Sequence, residues 1–163
     1  MNDGTTRSRP YPSSADLSAL LSPVTSAALS EVLAPLPPWS QLPRTVRRSI
    51  AYLALHLDGS VDSDRLAAQS ATSLRALQYA FRRHLDATPM AFYRRLRLAC
   101  AHRELTDAHP GDGVTVGSVA ARYGFYNAGR FAAEYSDIYG IRPGESLRRV
   151  SASTSSTAEQ TGS

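Results

Sequence analysis

The sequence predicts an all-α fold, and three observations carry that prediction. Between about positions 44 and 149, apolar residues recur at three- and four-residue spacings, the period of a helix buried on one side. No stretch alternates apolar and polar residues with the period of two that a half-buried strand requires. The periodic stretches are separated by helix-cap chemistry, with Ser, Thr or Asn ahead of an apolar run and Gly or Asp behind it. At 163 residues and 42% hydrophobic content, the chain is long and apolar enough for one compact domain with tails.

Residues 1–43 are rich in Ser, Pro and Ala, and are expected to form a flexible lead-in. Two apolar patches there, Leu17 to Leu21 and Leu29 to Leu33, suit only brief helices, and Pro35-Leu36-Pro37-Pro38 breaks regularity. Trp39 is expected to pack on the helical domain that begins near Arg44. Val46, Ile50, Leu53 and Leu57 share one helix face, so a helix should run from Arg44 to Leu57 and stop at Asp58-Gly59. A short helix over Ser63 to Ser70 turns Leu66 and Ala67 inward. Ser73 caps a third helix to His84, which buries Leu74, Leu77 and Phe81. Thr88 as cap and Pro89 at the first position open a fourth helix that reaches Thr106. After the loop at His109 to Gly113, a short helix covers Val116 to Arg122, and Tyr123-Gly124 makes a turn. A further helix spans Asn127 to Tyr139 and closes at Gly140, and Pro143 starts a last one to Arg149. Residues 44–150 thus hold about seven helices. Residues 151–163, SASTSSTAEQTGS, read as a disordered tail.

The two halves of this domain match each other. Leu66-Ala67 corresponds to Val119-Ala120 at an offset of 53. Ser73 corresponds to Asn127, Leu77 to Phe131, Phe81 to Tyr135, Asp86 to Gly140 and Pro89 to Pro143, each at an offset of 54. The slip of one residue falls in the turn, where length varies cheaply. Each half is a short helix, a tight turn and a longer capped helix, which is the helix-turn-helix arrangement, whose second helix can enter a major groove. The helix between the halves has about 18 residues and a length of about 27 Å. That can hold two such helices about one DNA turn apart, ~34 Å, so one chain can read two adjacent groove segments as a monomer.

Charge agrees with a polyanionic partner. The net charge is +4, and all 18 basic residues are Arg. Between Arg44 and Val150 there are 16 Arg against 10 acidic residues, while the flanks hold 2 Arg and 4 acids. The positive excess therefore belongs to the folded part. Arg suits bidentate contact with phosphate and guanine. Cys100 is the lone cysteine, which excludes an intramolecular disulfide and a Cys-based metal cage, and its place in a helix favours burial. The polar start MNDGTTRSRP lacks the apolar core of a signal peptide, and no apolar run approaches a membrane span, so a cytoplasmic protein is expected. His56, His84, His102 and His109 are scattered, no phosphate-binding Gly loop is present, and no catalytic constellation emerges. The expectation is a protein that is not an enzyme and takes no cofactor or metal.

The residues then resemble the AraC/XylS family of transcription regulators over about Arg44 to Arg149. The second half carries the strongest part of the resemblance, in Val119-Ala120, Tyr123-Gly124-Phe125, Phe131, Tyr135, Gly140 and Pro143. The first half adds Leu66-Ala67, Ser73, Leu77, Phe81-Arg82, Thr88-Pro89, Arg97-Leu98, Ala101 and Leu105. The resemblance implies two helix-turn-helix subdomains joined by a linker helix, binding double-stranded promoter DNA near RNA polymerase. It also implies a structural role for Arg97 in the linker helix. Residues 1–43 are too few for the effector or dimerisation domain most members carry. Four positions depart from the family pattern. Asp86 replaces a Gly, which is mild because Asp tolerates the left-handed conformation. Asp137 replaces a basic residue, and Ser146 and Leu147 replace an aromatic and an Arg.

Helix faces and the resemblance together pick out the candidate DNA-binding residues. With Leu74, Leu77 and Phe81 inward, the first recognition helix presents Arg75, Gln78, Tyr79 and Arg82, behind the cap Ser73. Arg matches guanine O6 and N7, and Gln matches adenine N6 and N7. The second offers Asn127, Gly129 and Arg130 among alanines, a small face able to approach thymine methyls. Arg83, Arg94 and Arg95 are candidates for phosphate. Glu134 and Asp137 should repel phosphate, so the first unit is expected to carry most specificity. The alternative is a protein-interaction module, in which the acidic, alanine-rich second unit binds RNA polymerase or another partner.

Overall fold

The computed structural model describes residues 14–109 and 111–148. Among these residues every regular element is helical. The helices are α1 (Ser14–Leu20), α2 (Pro23–Leu33), α3 (Arg44–Leu55), α4 (Ser63–Gln69), α5 (Leu74–Leu85), α6 (Pro89–Asp107), α7 (Val116–Arg122), α8 (Ala128–Tyr139) and α9 (143–148), with one 3-10 turn at Trp39–Gln41. The expected all-α fold of two helix-turn-helix units on a linker helix is what forms. The predicted end at Arg149 and the tail 151–163 lie outside the described residues.

Helix starts are set by side chains that take up otherwise unpaired backbone N–H groups. Asp62 accepts from the Arg65 amide at 2.8 Å, Ser73 from Ala76 at 3.2 Å, Thr88 from Ala91 at 3.1 Å and Asn127 from Arg130 at 2.8 Å. Thr115 and Ser118 form a reciprocal capping box at the start of α7. Helices α5 and α8 both end on a left-handed residue, Asp86 at φ 49° and Gly140 at φ 68°. Helix α3 stops at Leu55, two residues before the expected end, and His56 caps it.

The linker helix α6 is buried on nearly every side. Residues Leu96, Arg97, Leu98, Ala99, Cys100 and Ala101 are consecutive and all buried. Six consecutive residues point in every direction around a helix axis, so this stretch needs cover on all sides. Helices α3, α5 and α7 supply part of that cover, and α2 supplies the largest share. Helix α2 buries Thr25, Ala28, Leu29 and Val32, spaced i, i+3, i+4 and i+7, and packs mainly on α6. Glu31 pairs with Arg103 of α6 at 3.2 Å, and Leu17 of α1 joins the same core. Residues 14–43, which composition suggested as a flexible lead-in, carry two helices packed on this core. Their small apolar residues form a helical stripe, and an uncovered face of α6 is there to receive it. Trp39 packs against this core as expected, and Leu42 is buried in it.

The two units are locked together by backbone contact. Gly59, after α3, and Gly124, in the α7–α8 turn, both have positive φ, 83° and 71°. A Cβ on Gly124 would lie 2.3 Å from the Asp58 carbonyl oxygen, and one on Gly59 would lie 3.2 Å from the Gly124 Cα. Arg97 reaches from α6 into this junction. It donates to the carbonyl oxygens of Tyr123 at 3.0 Å and Gly124 at 3.4 Å, and its guanidinium lies over the rings of Tyr93 and Phe125. Tyr93 completes the junction by donating to the His56 carbonyl and accepting from the Gly59 amide. Burial lowers the Arg97 pKa from its ordinary value, with the charge of neighbouring Arg94 adding to the effect. The structural role expected of Arg97 is met by these contacts.

Candidate nucleic-acid interface

Helix α5 turns Leu77, Phe81 and Leu85 into the core, where Phe81 meets Phe92 of α6 edge-on at 5.9 Å. The opposite face is left to solvent. Arg75, Tyr79, Arg82 and Arg83 are exposed, Gln78 is half-buried, and Ser73 is the exposed cap. Leu74 is only partly buried, where full burial was expected, because it lies in the first turn at the edge of the core. Among the described residues, neither Arg75 nor Arg82 has a carboxylate partner. Tyr79 accepts a hydrogen bond from Arg83 at 3.3 Å, one turn on. The helix LRALQYAFRRHL contains no acidic residue. Its outward face is thus basic, with Gln78 and Tyr79 as neutral hydrogen-bonding groups.

Helix α8 is built on the same plan with different chemistry. Phe131 and Tyr135 face inward and form a cluster with Phe125. Asn127, Ala128, Gly129 and Arg130 are exposed at its start. A Cβ at Gly129 would meet only the Asn127 side chain, at 3.6 Å, so the backbone does not demand glycine there. Its effect is to keep this face low. Arg130 donates through Nε to Glu134 at 2.9 Å. Glu134 is also held by Arg94 of α6 in a bidentate pair, at 2.5 and 2.6 Å. The Arg94 hydrogen bond is the main reason the Glu134 pKa falls below its ordinary value.

Arg94 is therefore engaged within the protein, where sequence reasoning offered it to phosphate, while Arg95 is exposed. Two further features were not singled out from sequence. Tyr126 is 83% exposed immediately ahead of the α8 cap, on the same edge as Asn127. The Arg130–Glu134 pair was visible as an i, i+4 spacing, but the third member, Arg94, lies 40 positions from Glu134 and needs the fold to bring it in.

Two capped helix-turn-helix units, fixed to one linker helix and each presenting its second helix outward, define a tandem helix-turn-helix protein. A family model described as a helix-turn-helix domain matches residues 66–149. The probable thc operon regulatory protein of Rhodococcus erythropolis is 37% identical over 114 residues, which cover 69% of this chain and 34% of that protein. The XylDLEGF operon transcriptional activator 3 of Pseudomonas putida is 34% identical over 103 residues, covering 63% and 30% respectively. The crystal structure of a probable AraC family transcriptional regulator from Rhodopseudomonas palustris CGA009 aligns with a TM-score of 0.60 at 35% identity, covering 67% of this chain and 99% of that one. The chain belongs to the AraC/XylS family of transcription regulators, and residues 66–149 carry the family's DNA-binding helix-turn-helix domain. The matched region spans about a third of the length of these curated relatives.

Proposed function

We propose that this chain is a sequence-specific transcription regulator that sets α5 and α8 into two successive major-groove segments of double-stranded DNA. The observation that carries the reading is the outward face of α5, where Arg75 and Arg82 stand exposed with no carboxylate partner among the described residues, on a helix that has no acidic residue. Arg75 and Gln78 would read base edges, with Tyr79 beside them, and Arg82 would bind the backbone. Ser73 and Asn127 cap the two recognition helices and would sit closest to the DNA, with their N-terminal backbone amides directed at phosphate. Gly129 would allow close approach, and Arg130 would be the chief donor of the second unit. Because α6 has 19 residues and a length of about 28 Å, a single chain can present both helices, so binding as a monomer is part of the proposal. A cytoplasmic location and the absence of an enzymatic step belong to the same reading, and no described helix is long and apolar enough to cross a membrane. RNA polymerase is a second proposed partner on the strength of family membership alone.

Selection from a random DNA pool tests the reading. The expected motif is asymmetric, with one sharp half and one diffuse half about one helical turn away. Arg75→Ala should cost about 1–3 kcal/mol on that site and relax preference at one or two base pairs. If about 6 phosphates are neutralised, log affinity should fall with log salt at a slope near −5. A palindromic motif, or a sharp half that tracks Arg130 substitutions and ignores Arg75, would overturn the assignment of roles.

A further inference from the structure

The corresponding positions of the two recognition helices differ in one respect that their shared geometry does not require. At the offset of 54 that relates the halves, Glu134 of α8 corresponds to Ala80 of α5. Glu134 is the third charged group of a cluster with Arg94 and Arg130, and only about a quarter of its side chain is exposed. Both arginines also border a hollow of about 160 Å³ at the start of α8, lined with them by Gly124, Phe125, Tyr126 and Asn127. The hollow thus has two guanidiniums and an Asn amide at its rim, next to helix-start amides. That is the chemistry of a phosphate-binding site, except that a carboxylate already holds both cations.

We infer that Glu134 attenuates DNA binding by the second unit, its carboxylate occupying Arg94 and Arg130, which would otherwise meet the DNA backbone. The inference rests on the DNA-binding reading above and adds a determinant of how the two units share the work. The cluster carries one positive charge with Glu134 and two without it. A phosphate approaching α8 must either leave both arginines in their pairs or displace the carboxylate, which then stands unpaired beside it. Among the described residues no carboxylate competes in this way on α5. The arrangement makes the second half-site weak by construction, and a single neutral substitution reverses it.

The test is DNA binding by the full chain, measured as a function of salt on a site selected with the parent, for the parent, Glu134→Gln and Glu134→Ala. Glu134→Gln keeps the shape of the side chain, and Glu134→Ala suits a helix interior, so at least one of the two is expected to melt near the parent. The expected result is affinity raised about tenfold or more, with a salt slope steeper by about 0.9–1.8, the contribution of one or two extra phosphate contacts. Arg94→Ala should change affinity less than about threefold in the parent, yet remove most of the gain in the Glu134→Gln background. Unchanged or weaker binding by both Glu134 variants would overturn the inference while the DNA-binding reading stands. In that case Glu134 would be orienting Arg130, or the arginines would not face DNA. If the parent shows no salt-sensitive DNA binding at all, the reading itself fails and the inference goes with it.

Discussion

His102 shows how much of this protein depends on single side chains drawn from distant parts of the chain. Its ring stacks on Tyr139 with centroids 3.8 Å apart and planes 6° from parallel. Its Nδ1 lies 2.6 Å from the Tyr135 hydroxyl, which donates in turn to the Ser146 hydroxyl at 2.7 Å. This chain of contacts ties α6, α8 and α9 together. Burial lowers the His102 pKa from its ordinary value near 6.5, opposed by Glu31 and Asp107 and assisted by Arg103. A folded-state pKa that is depressed contributes stability that is present above the unfolded value and lost as pH falls through the folded one. The melting temperature should therefore drop as pH falls below about 6.5. His102→Asn, which can offer an amide near the Nδ1 position, should flatten that drop. An equally steep pH profile in the variant would assign the sensitivity to another group. The sequence showed four scattered histidines and offered no reason to choose His102 among them, because the residues it meets, Tyr135 and Tyr139, lie on α8, more than thirty positions along the chain. The same network explains Ser146, a departure from the family pattern. A small hydroxyl is what the buried Tyr135 needs as an acceptor, and Ser146 is 1% exposed. Cys100 is fully buried, as its place in the linker helix predicts, and that burial pushes its thiol up to about 12.

Single elements were the most legible level in the sequence. Ser73, Thr88, Asn127 and Gly140 each mark a helix end where they were expected, because a cap is a local match between one side chain and the nearest backbone groups. Asp86 likewise takes up the left-handed conformation its short side chain tolerates. The first helix-turn-helix turn hid a feature at Ala71, whose φ of 52° puts an alanine where the second unit has Gly124. The meeting of Gly59, Gly124 and Arg97 could not be read locally, since it depends on how the two units dock. Two glycines of like conformation separate strain from contact. Gly113 has φ 67° with open space around its Cβ position, so Gly113→Ala should cost only about 1–2 kcal/mol. Gly124→Ala adds a clash with the Asp58 carbonyl and Arg97, and should cost about 2–4 kcal/mol. It should also weaken DNA binding beyond the loss of folded protein, because the second recognition helix starts at this turn. Equal losses at the two positions, measured by denaturant unfolding, would mean that the junction yields and does not fix the units.

At the scale of the whole molecule, the main departure from expectation is α2. Its stripe of Thr25, Ala28, Leu29 and Val32 was present in the sequence, but two of the four residues are small and the surroundings are rich in Ser and Pro, so composition argued for a flexible segment. The deciding fact lay in α6, whose run of buried residues from Leu96 to Ala101 needs cover that the two helix-turn-helix units do not fully provide. Helix α2 meets α6 at Cys100 and Arg103, beyond Arg94 along the helix, through Thr25 and Glu31. The candidate DNA contacts are on α5 and at the start of α8, so this cover should matter to stability and not to base reading. Leu29, 6% exposed, is the largest buried side chain α2 contributes to the core. Leu29→Ala should lower stability by about 2–4 kcal/mol, the cost of a buried leucine cavity that relaxes only in part. The motif selected from a random DNA pool by this variant, at a temperature where it remains folded, should match the parent's in both halves. Such a result would divide the molecule into a supporting helix and a reading surface. A diffuse second half sharper in the parent than in the variant would instead show that α2 governs where α6 holds α8, and the division would fail.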